Sequence, residues 1–203
     1  TAKSEMLKFC SRIAPRGLYT SGRGSTAAGL TAAVVRDSTG IFMLEAGAVV
    51  LGDQGLVCID EFDKMRAEDR SALHEVMEQQ SASIAKGGIV ATLNARTSIL
   101  AAANPMFGKY DQFKNIHENV NLPIPLLTRF DLIFIVTDKP NQVKDREIAK
   151  HIIDLHGQDG TDTKSLIDID ILTKYLSYAK RKEPTLTADA ENTILEYYLK
   201  MRN

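Results

Sequence analysis

The chain has 203 residues, of which 44% are hydrophobic and 25% charged, and a formal net charge of −1. That length suits one domain with a full core, or one domain plus a small appendage, and the composition is ordinary for a soluble globular protein. No apolar run approaches the roughly 20 residues needed to cross a bilayer, and nothing at the start resembles a secretion signal. The near-neutral total hides an uneven distribution. Residues 12–36 hold four arginines and no acid, residues 60–78 hold seven acids against three Lys or Arg, and residues 81–96 carry only basic charges. Basic stretches of this kind can touch phosphate, although a solvated face is the ordinary use of a charge run.

In chain order, Lys3-Ser4 precedes an amphipathic start marked by Met6, Leu7, Phe9 and Cys10. Residues 17–20 read as a short strand and Gly22-Arg23-Gly24-Ser25 as a flexible turn. Residues 31–35 and 41–44 flank Asp37-Ser38-Thr39-Gly40 and predict a hairpin. Next comes Leu56-Val57-Cys58-Ile59, an unbroken apolar run that fits a strand buried on both faces of a helix-covered parallel sheet. It ends in Asp60-Glu61. Residues 67–80 predict a helix with Glu68 and Asp69 in its first turn and Leu73, Val76 and Met77 on one side. Ile84 and Ile89 flank Lys86-Gly87-Gly88, a second hairpin whose Gly-Gly suits a tight turn and leaves Lys86 at or beside the tip. Residues 97–103 form another apolar run, and Pro105 ends the element at Asn104. Arg129 stands just before residues 131–136, predicted as a further buried strand.

Past Lys139-Pro140 the pattern turns helical. Ile148, Ile152 and Leu155 recur at helical spacing, as do Leu172, Tyr175, Leu176 and Ala179, and then Ile194, Tyr197, Tyr198 and Met201. Thr187 predicts the N-cap of the last helix. A polar linker over residues 157–164 separates the first of these helices from the others. The chain therefore divides into an α/β core over residues 1–138 and a small helical domain over residues 139–203. Cys10 and Cys58 both sit in apolar patterns and read as buried, reduced thiols, which suits a cytosolic or nuclear protein.

Each chemical feature has a plain reading when taken alone. Acids after a strand can be the start of a solvated loop, Lys-Ser pairs are common, and a lysine at a hairpin tip aids solubility. Arg23, Arg36 and Arg96 fit surface or interface salt bridges better than nucleic-acid contacts. His151 and His156 lie five apart, which puts them on different faces of a helix and argues against a shared metal. At the carboxyl edge of a parallel sheet, however, Asp60 could hold a hard cation through oxygen and Glu61 could polarise a water. Lys3-Ser4 at a helix start has the form of the end of a phosphate-binding loop, G-x-x-x-x-G-K-[ST], in which Lys reaches the β/γ oxygens and Ser or Thr binds Mg²⁺.

The order Lys3-Ser4, Asp60-Glu61, Asn104, Arg129 is that of ring ATPases, and the chain resembles the minichromosome maintenance (MCM) replicative helicases of the AAA+ class. The resemblance covers essentially all 203 residues. It rests on Thr1-Ala2-Lys3-Ser4, Ile13-Ala14-Pro15-Arg16, Gly24-Ser25-Thr26-Ala27-Ala28-Gly29-Leu30-Thr31-Ala32 and Leu44-Glu45-Ala46-Gly47-Ala48. It continues through Ile59-Asp60-Glu61-Phe62-Asp63-Lys64-Met65, His74-Glu75-Val76-Met77-Glu78-Gln79-Gln80, Ala103-Asn104-Pro105 and Arg129-Phe130-Asp131-Leu132-Ile133-Phe134. The Ser25-Thr26-Ala27-Ala28-Gly29 wording is similar to archaeal members.

The resemblance implies an AAA+ P-loop core with a parallel sheet, two β-hairpin insertions facing DNA, and a partial α-helical lid. It implies ATP bound by Thr1, Ala2, Lys3 and Ser4, with Mg²⁺ held by Ser4 and Asp60. Glu61 would be general base or orienter of the attacking water, Asn104 the sensor near the γ-phosphate, and Arg129 an arginine finger acting in trans. Lys86 would point into a central channel and pull on DNA regardless of sequence. The partners implied are single-stranded or forked DNA, further copies in a ring expected to be hexameric, and replication-initiation and replisome proteins, with no membrane. The location implied is cytoplasmic, at the nucleoid, for an archaeal member and nuclear for a eukaryotic one.

Thr128 replaces the family's usual Ser. The glycine-rich half of the phosphate loop and the second arginine sensor are not among these residues, so the 203-residue chain alone is expected to hydrolyse ATP poorly. Two other functions fit parts of the pattern: an AAA+ scaffold or loader that binds DNA without productive hydrolysis, and a hairpin-bearing AAA+ remodeller of proteins.

Overall fold

The computed structural model describes residues 2–86, 88–137, 140–157 and 167–202. The chain opens with α1 (Lys3–Ile13), β1 (Gly17–Ser21), α2 (Ala27–Leu30), β2 (Ala32–Arg36), β3 (Phe42–Ala46) and α3 (Ala48–Leu51). It continues through β4 (Leu56–Asp60), a 3₁₀ turn (Phe62–Lys64), α4 (Ala67–Gln79), β5 (Ser81–Lys86), β6 (Ile89–Asn94) and β7 (Ser98–Ala101). Two single-turn helices, α5 (Ile116–Asn119) and α6 (Ile124–Leu127), precede the long helices α7 (Gln142–Gly157), α8 (Ile169–Ala179) and α9 (Ala188–Arg202).

A parallel sheet with the order β1-β4-β7 carries the site. The register aligns Ser21 with Asp60 and Ile59 with Ala101, so the three strands end at one level. The central strand β4 is apolar without alternation because both its faces are covered. Val57 and Ile59 face a core with Leu30, Val49, Phe62 and Leu73, whereas Cys58 turns to the opposite face, toward Leu7 and Ala102. The amphipathic helix α1 covers that second face, burying Leu7 and leaving Met6 and Phe9 exposed. Cys10 and Cys58 are both free thiols, the first half-buried and the second buried, and burial pushes the Cys58 thiol up to about 11.

Both expected hairpins form as antiparallel pairs, β2 with β3 and β5 with β6. Lys86 pairs with Ile89 at the tip of the second, and Gly88 takes a φ of 78° that a side chain would oppose. Gly87 lies outside the described residues.

The strand expected over residues 131–136 does not form. Leu132 and Phe134 are 72% and 78% exposed, and Ile133, Ile135 and Val136 are also exposed. Among the described residues β7 pairs only with β4, so its outer edge is open and this apolar segment does not dock against it. A parallel strand needs a neighbour to take up its N–H and C=O groups and helices to cover its faces. Apolar composition supplies neither.

The three long helices form where their periodicity predicts them. Thr187 caps the start of α9, its side-chain oxygen accepting the Ala190 N–H at 3.3 Å. Their apolar faces are open: Ile148, Ile152, Tyr175, Ile194 and Tyr197 are each at least half exposed. α8 lies beside α1, and Lys180 donates to the Gln54 carbonyl. The expected linker falls mainly on residues 158–166, and the expected domain boundary on residues 138 and 139; these lie outside the described residues. No helix among the described residues is long and apolar enough to cross a membrane.

Candidate active site

The end of β4 and the start of α1 meet because α1 packs across β1 and β4. Lys3 and Ser4 are its first two residues, so their side chains stand beside Asp60, the last residue of β4. Asn104 follows β7, whose end is level with that of β4. A cleft of about 290 Å³ results, lined by Ala2, Lys3, Ser4, Glu5, Asp60, Glu61 and Asn104. Three segments distant in sequence thus deliver a cation, a hydroxyl, three carboxylates and an amide to one concavity.

Lys3 Nζ donates to Asn104 Oδ1 at 2.5 Å. The Asn104 backbone is itself anchored, its N–H donating to Asp63 Oδ1 at 3.0 Å. Asp60 is the most heavily coordinated side chain of the cleft. Its Oδ1 accepts the Glu61 N–H at 2.8 Å and its Oδ2 the Tyr19 hydroxyl at 3.1 Å. Partial burial works to raise the Asp60 pKa. The Ser4 hydroxyl, the Glu61 N–H, the Tyr19 hydroxyl and the Lys3 charge outweigh it, holding the carboxyl below the usual range.

Glu61 occupies the left-handed region, with φ 49° and ψ 42°, uncommon for a residue with a side chain. The chain turns there from β4 into the 3₁₀ segment, and the Phe62 N–H donates to the Ala102 carbonyl at 2.9 Å. Buried Phe62 packs edge-on against Phe130, centroids 5.8 Å apart, which fixes the turn from below. Ser21 Oγ lies 3.5 Å from Glu61 Oε2. Gly22 is needed at the neighbouring strand end: its N–H donates to the Asp60 carbonyl at 2.7 Å, and a Cβ there would stand 2.7 Å from the Glu61 carbonyl oxygen.

Thr1 is outside the described residues. Arg129 does not line the cleft; its Nη2 is 2.6 Å from Glu78 Oε1 at the end of α4, with both side chains well exposed. Lys86 stands exposed at the hairpin tip. A second cleft of about 370 Å³ lies beside β1, lined by Leu18, Tyr19, Thr20, Glu45 and Leu51 among alanines and glycines. Its lining has no Lys or Arg, so it offers no cation to a phosphate.

Tyr19 and Ser21 were not singled out from the sequence, Gly22 was read only as part of a flexible turn, and Asp63 only as part of the motif around Asp60-Glu61. A partial signal existed for Tyr19 and Ser21. Alternation along residues 17–21 puts positions 19 and 21 on the same face, but which strand lies alongside is a tertiary fact.

A family model described as the MCM P-loop domain matches residues 1–156. The chain belongs to the minichromosome maintenance family. Over its whole length it is 56% identical to the minichromosome maintenance protein MCM of Saccharolobus solfataricus, of which it covers 29%. Its identity is 51% to the zygotic DNA replication licensing factor mcm6-B of Xenopus laevis, covering 25% of that protein. It is also 51% to the DNA replication licensing factor MCM4 of Arabidopsis thaliana, covering 24%. This MCM chain thus spans about a quarter to less than a third of the length of these curated relatives. The matched model makes it a P-loop domain, the class of module that takes a nucleotide's phosphates.

Proposed function

We propose that this MCM chain is the ATP-hydrolysing core of a ring-forming replicative DNA helicase, coupling hydrolysis to movement on DNA and its unwinding. The observation that carries the reading is the convergence of Lys3, Ser4, Asp60, Glu61 and Asn104 on one cleft. The donor set fits the group it would hold: Lys3 suits the β/γ-phosphates, and the hydroxyl of Ser4 in contact with the Asp60 carboxylate is an all-oxygen set suited to Mg²⁺. Bound there, the metal would neutralise phosphate charge. Glu61 takes the proton of the attacking water or orients it, and Asn104 presents its amide toward the terminal phosphate while engaging Lys3.

Residues 1–138 form the catalytic core in this reading, and residues 139–203 part of a helical lid. Arg129 serves as a finger for the nucleotide of a neighbouring copy. Its exposed guanidinium outside the chain's own cleft supports that role, and a finger working in trans requires a closed ring, here a hexamer. Lys86, exposed at the tip of its hairpin, contacts the DNA backbone. Replication-initiation and replisome proteins are the further partners, at the nucleoid or in the nucleus.

The test uses the full-length protein that contains this chain. Glu61→Gln should retain ATP binding and lose hydrolysis by about 10²–10⁴-fold, the usual contribution of a general base. Lys86→Ala should hydrolyse ATP yet fail to unwind a forked duplex. Hydrolysis by Glu61→Gln within about twofold of the parent would sink the catalytic assignment. Hydrolysis by the parent unaffected by single-stranded DNA would favour a scaffold or a protein remodeller.

A further inference from the structure

We infer that Tyr19 is a positioning residue for the metal-binding carboxylate, acting through Asp60 rather than on the nucleotide. The inference rests on the reading of Asp60 given above and adds a residue to it. Tyr19 lies on β1, beside β4, in a register that sets Tyr19 against Cys58 and Ser21 against Asp60. Its backbone is therefore two residues, roughly 6.6 Å along the strand, short of the acid it serves. Only a long side chain with a terminal donor spans that diagonal, and the Tyr19 hydroxyl does so, donating to Asp60 Oδ2 at 3.1 Å. Ser21, the direct neighbour of Asp60, instead approaches Glu61, at 3.5 Å. Alternate residues of one strand edge thus attend to the two acids separately.

The physical need is rotational. The terminal torsion of an aspartate is broad and roughly two-fold, so a single hydrogen bond leaves the carboxylate plane free. The Glu61 N–H takes Oδ1 at 2.8 Å, and the phenol takes Oδ2, so the plane is set from both sides. The Ser4 hydroxyl shares the cleft with this carboxylate, but it is itself a candidate metal ligand and would turn its oxygen lone pair to the cation. Tyr19 has no such second duty. Mg²⁺ demands near-octahedral geometry, and loss of a partner that orients a ligand costs about 10–100-fold in metal affinity. Tyr19 is 39% exposed and its ring lines the second cleft, so removing the hydroxyl leaves the core untouched.

In the full-length protein, Tyr19→Phe should raise the Mg²⁺ concentration for half-maximal ATP hydrolysis about tenfold. Binding of a fluorescent ATP analogue in EDTA should stay within about twofold, since the ring and the Lys3 contact are retained. Asp60→Asn should itself raise the Mg²⁺ demand, and adding Tyr19→Phe to it should change nothing more, because both act through one group. An unchanged Mg²⁺ requirement in Tyr19→Phe, with Asp60→Asn impaired, overturns the role of Tyr19 alone. An additive double variant also overturns it, showing that the phenol works elsewhere. A normal Mg²⁺ response in Asp60→Asn removes the metal assignment of Asp60 itself, and Tyr19 falls with it.

Discussion

Replacing Gly22 by alanine tests the geometry beneath the two acids. The new Cβ would stand 2.7 Å from the Glu61 carbonyl oxygen, 2.7 Å from Met65 Cγ and 3.2 Å from the Asp60 carbonyl oxygen. Two of these neighbours are backbone, and Met65 is only 2% exposed, so none can swing aside freely. The strand end cannot retreat either without stretching the 2.7 Å bond from the Gly22 N–H to Asp60. Overpacking of this kind costs roughly 1–3 kcal/mol. The lower entropy of the unfolded chain returns about 0.4–1 kcal/mol. The net is a loss of up to roughly 2.6 kcal/mol, which for a chain of this size lowers Tm by up to roughly 10 °C. Because the wedge pushes on the carbonyls of Asp60 and Glu61, hydrolysis should fall further than stability does; a shift of about 1 Å at a catalytic group can cost 10²-fold. Gly24→Ala is the control, since a Cβ at Gly24 meets no atom within 4 Å; its effect should stay within about 0.5 kcal/mol. Calorimetric melting of the three proteins, with ATPase rates taken well below Tm, decides the matter. A Gly22→Ala protein as stable and as active as its parent refutes the reasoning, as does equal damage from Gly24→Ala.

Phe62→Ala should destabilise by roughly 3–5 kcal/mol in chemical denaturation, since the ring is 1% exposed and packs edge-on against Phe130; a loss under about 1 kcal/mol would mean that the turn is held by other contacts. Asp53, bonded by the Arg96 guanidinium and its N–H, has its carboxyl held down at about 2 against the ordinary 3.8. A depressed carboxyl stabilises above its unfolded value, so its contribution is complete near pH 5 and is lost as pH falls from about 4 toward 2; Asp53→Asn should flatten that part of the stability profile and leave pH 7–8 less stable than the parent. Cys58, with its thiol pushed up to about 11 and no exposure, should resist a thiol reagent at pH 8 in the folded protein, whereas half-buried Cys10 should react first. Mass spectrometry after brief labelling distinguishes the two, and equal labelling would show that the face between α1 and β4 opens readily.

Local chemistry settled a good deal in advance. The run Leu56–Ile59 announced a doubly covered strand because no alternation interrupts it, and helical spacing announced the three long helices after Pro140. Hairpin turns were legible at Asp37-Ser38-Thr39-Gly40 and Lys86-Gly87-Gly88 because turns demand particular residues within a few positions. The chemistry of the cleft was readable as residue types at strand ends. These are properties of the chain's neighbours in sequence, and periodicity carries them.

Tertiary structure alone decided which strands lie side by side, and that choice placed everything the sequence left open. The apolar segment from Leu132 to Val136 has the composition of a strand, yet it is exposed because no described strand pairs with it. Tyr19 and Ser21 carry no motif, and they reach the acids only because β1 runs parallel beside β4 in one register. Asp63 supports Asn104 across 41 residues, and Arg129 meets Glu78 rather than its own cleft. Pairing energies of this kind depend on which surfaces meet once the chain has folded, and no window of adjacent residues contains that information.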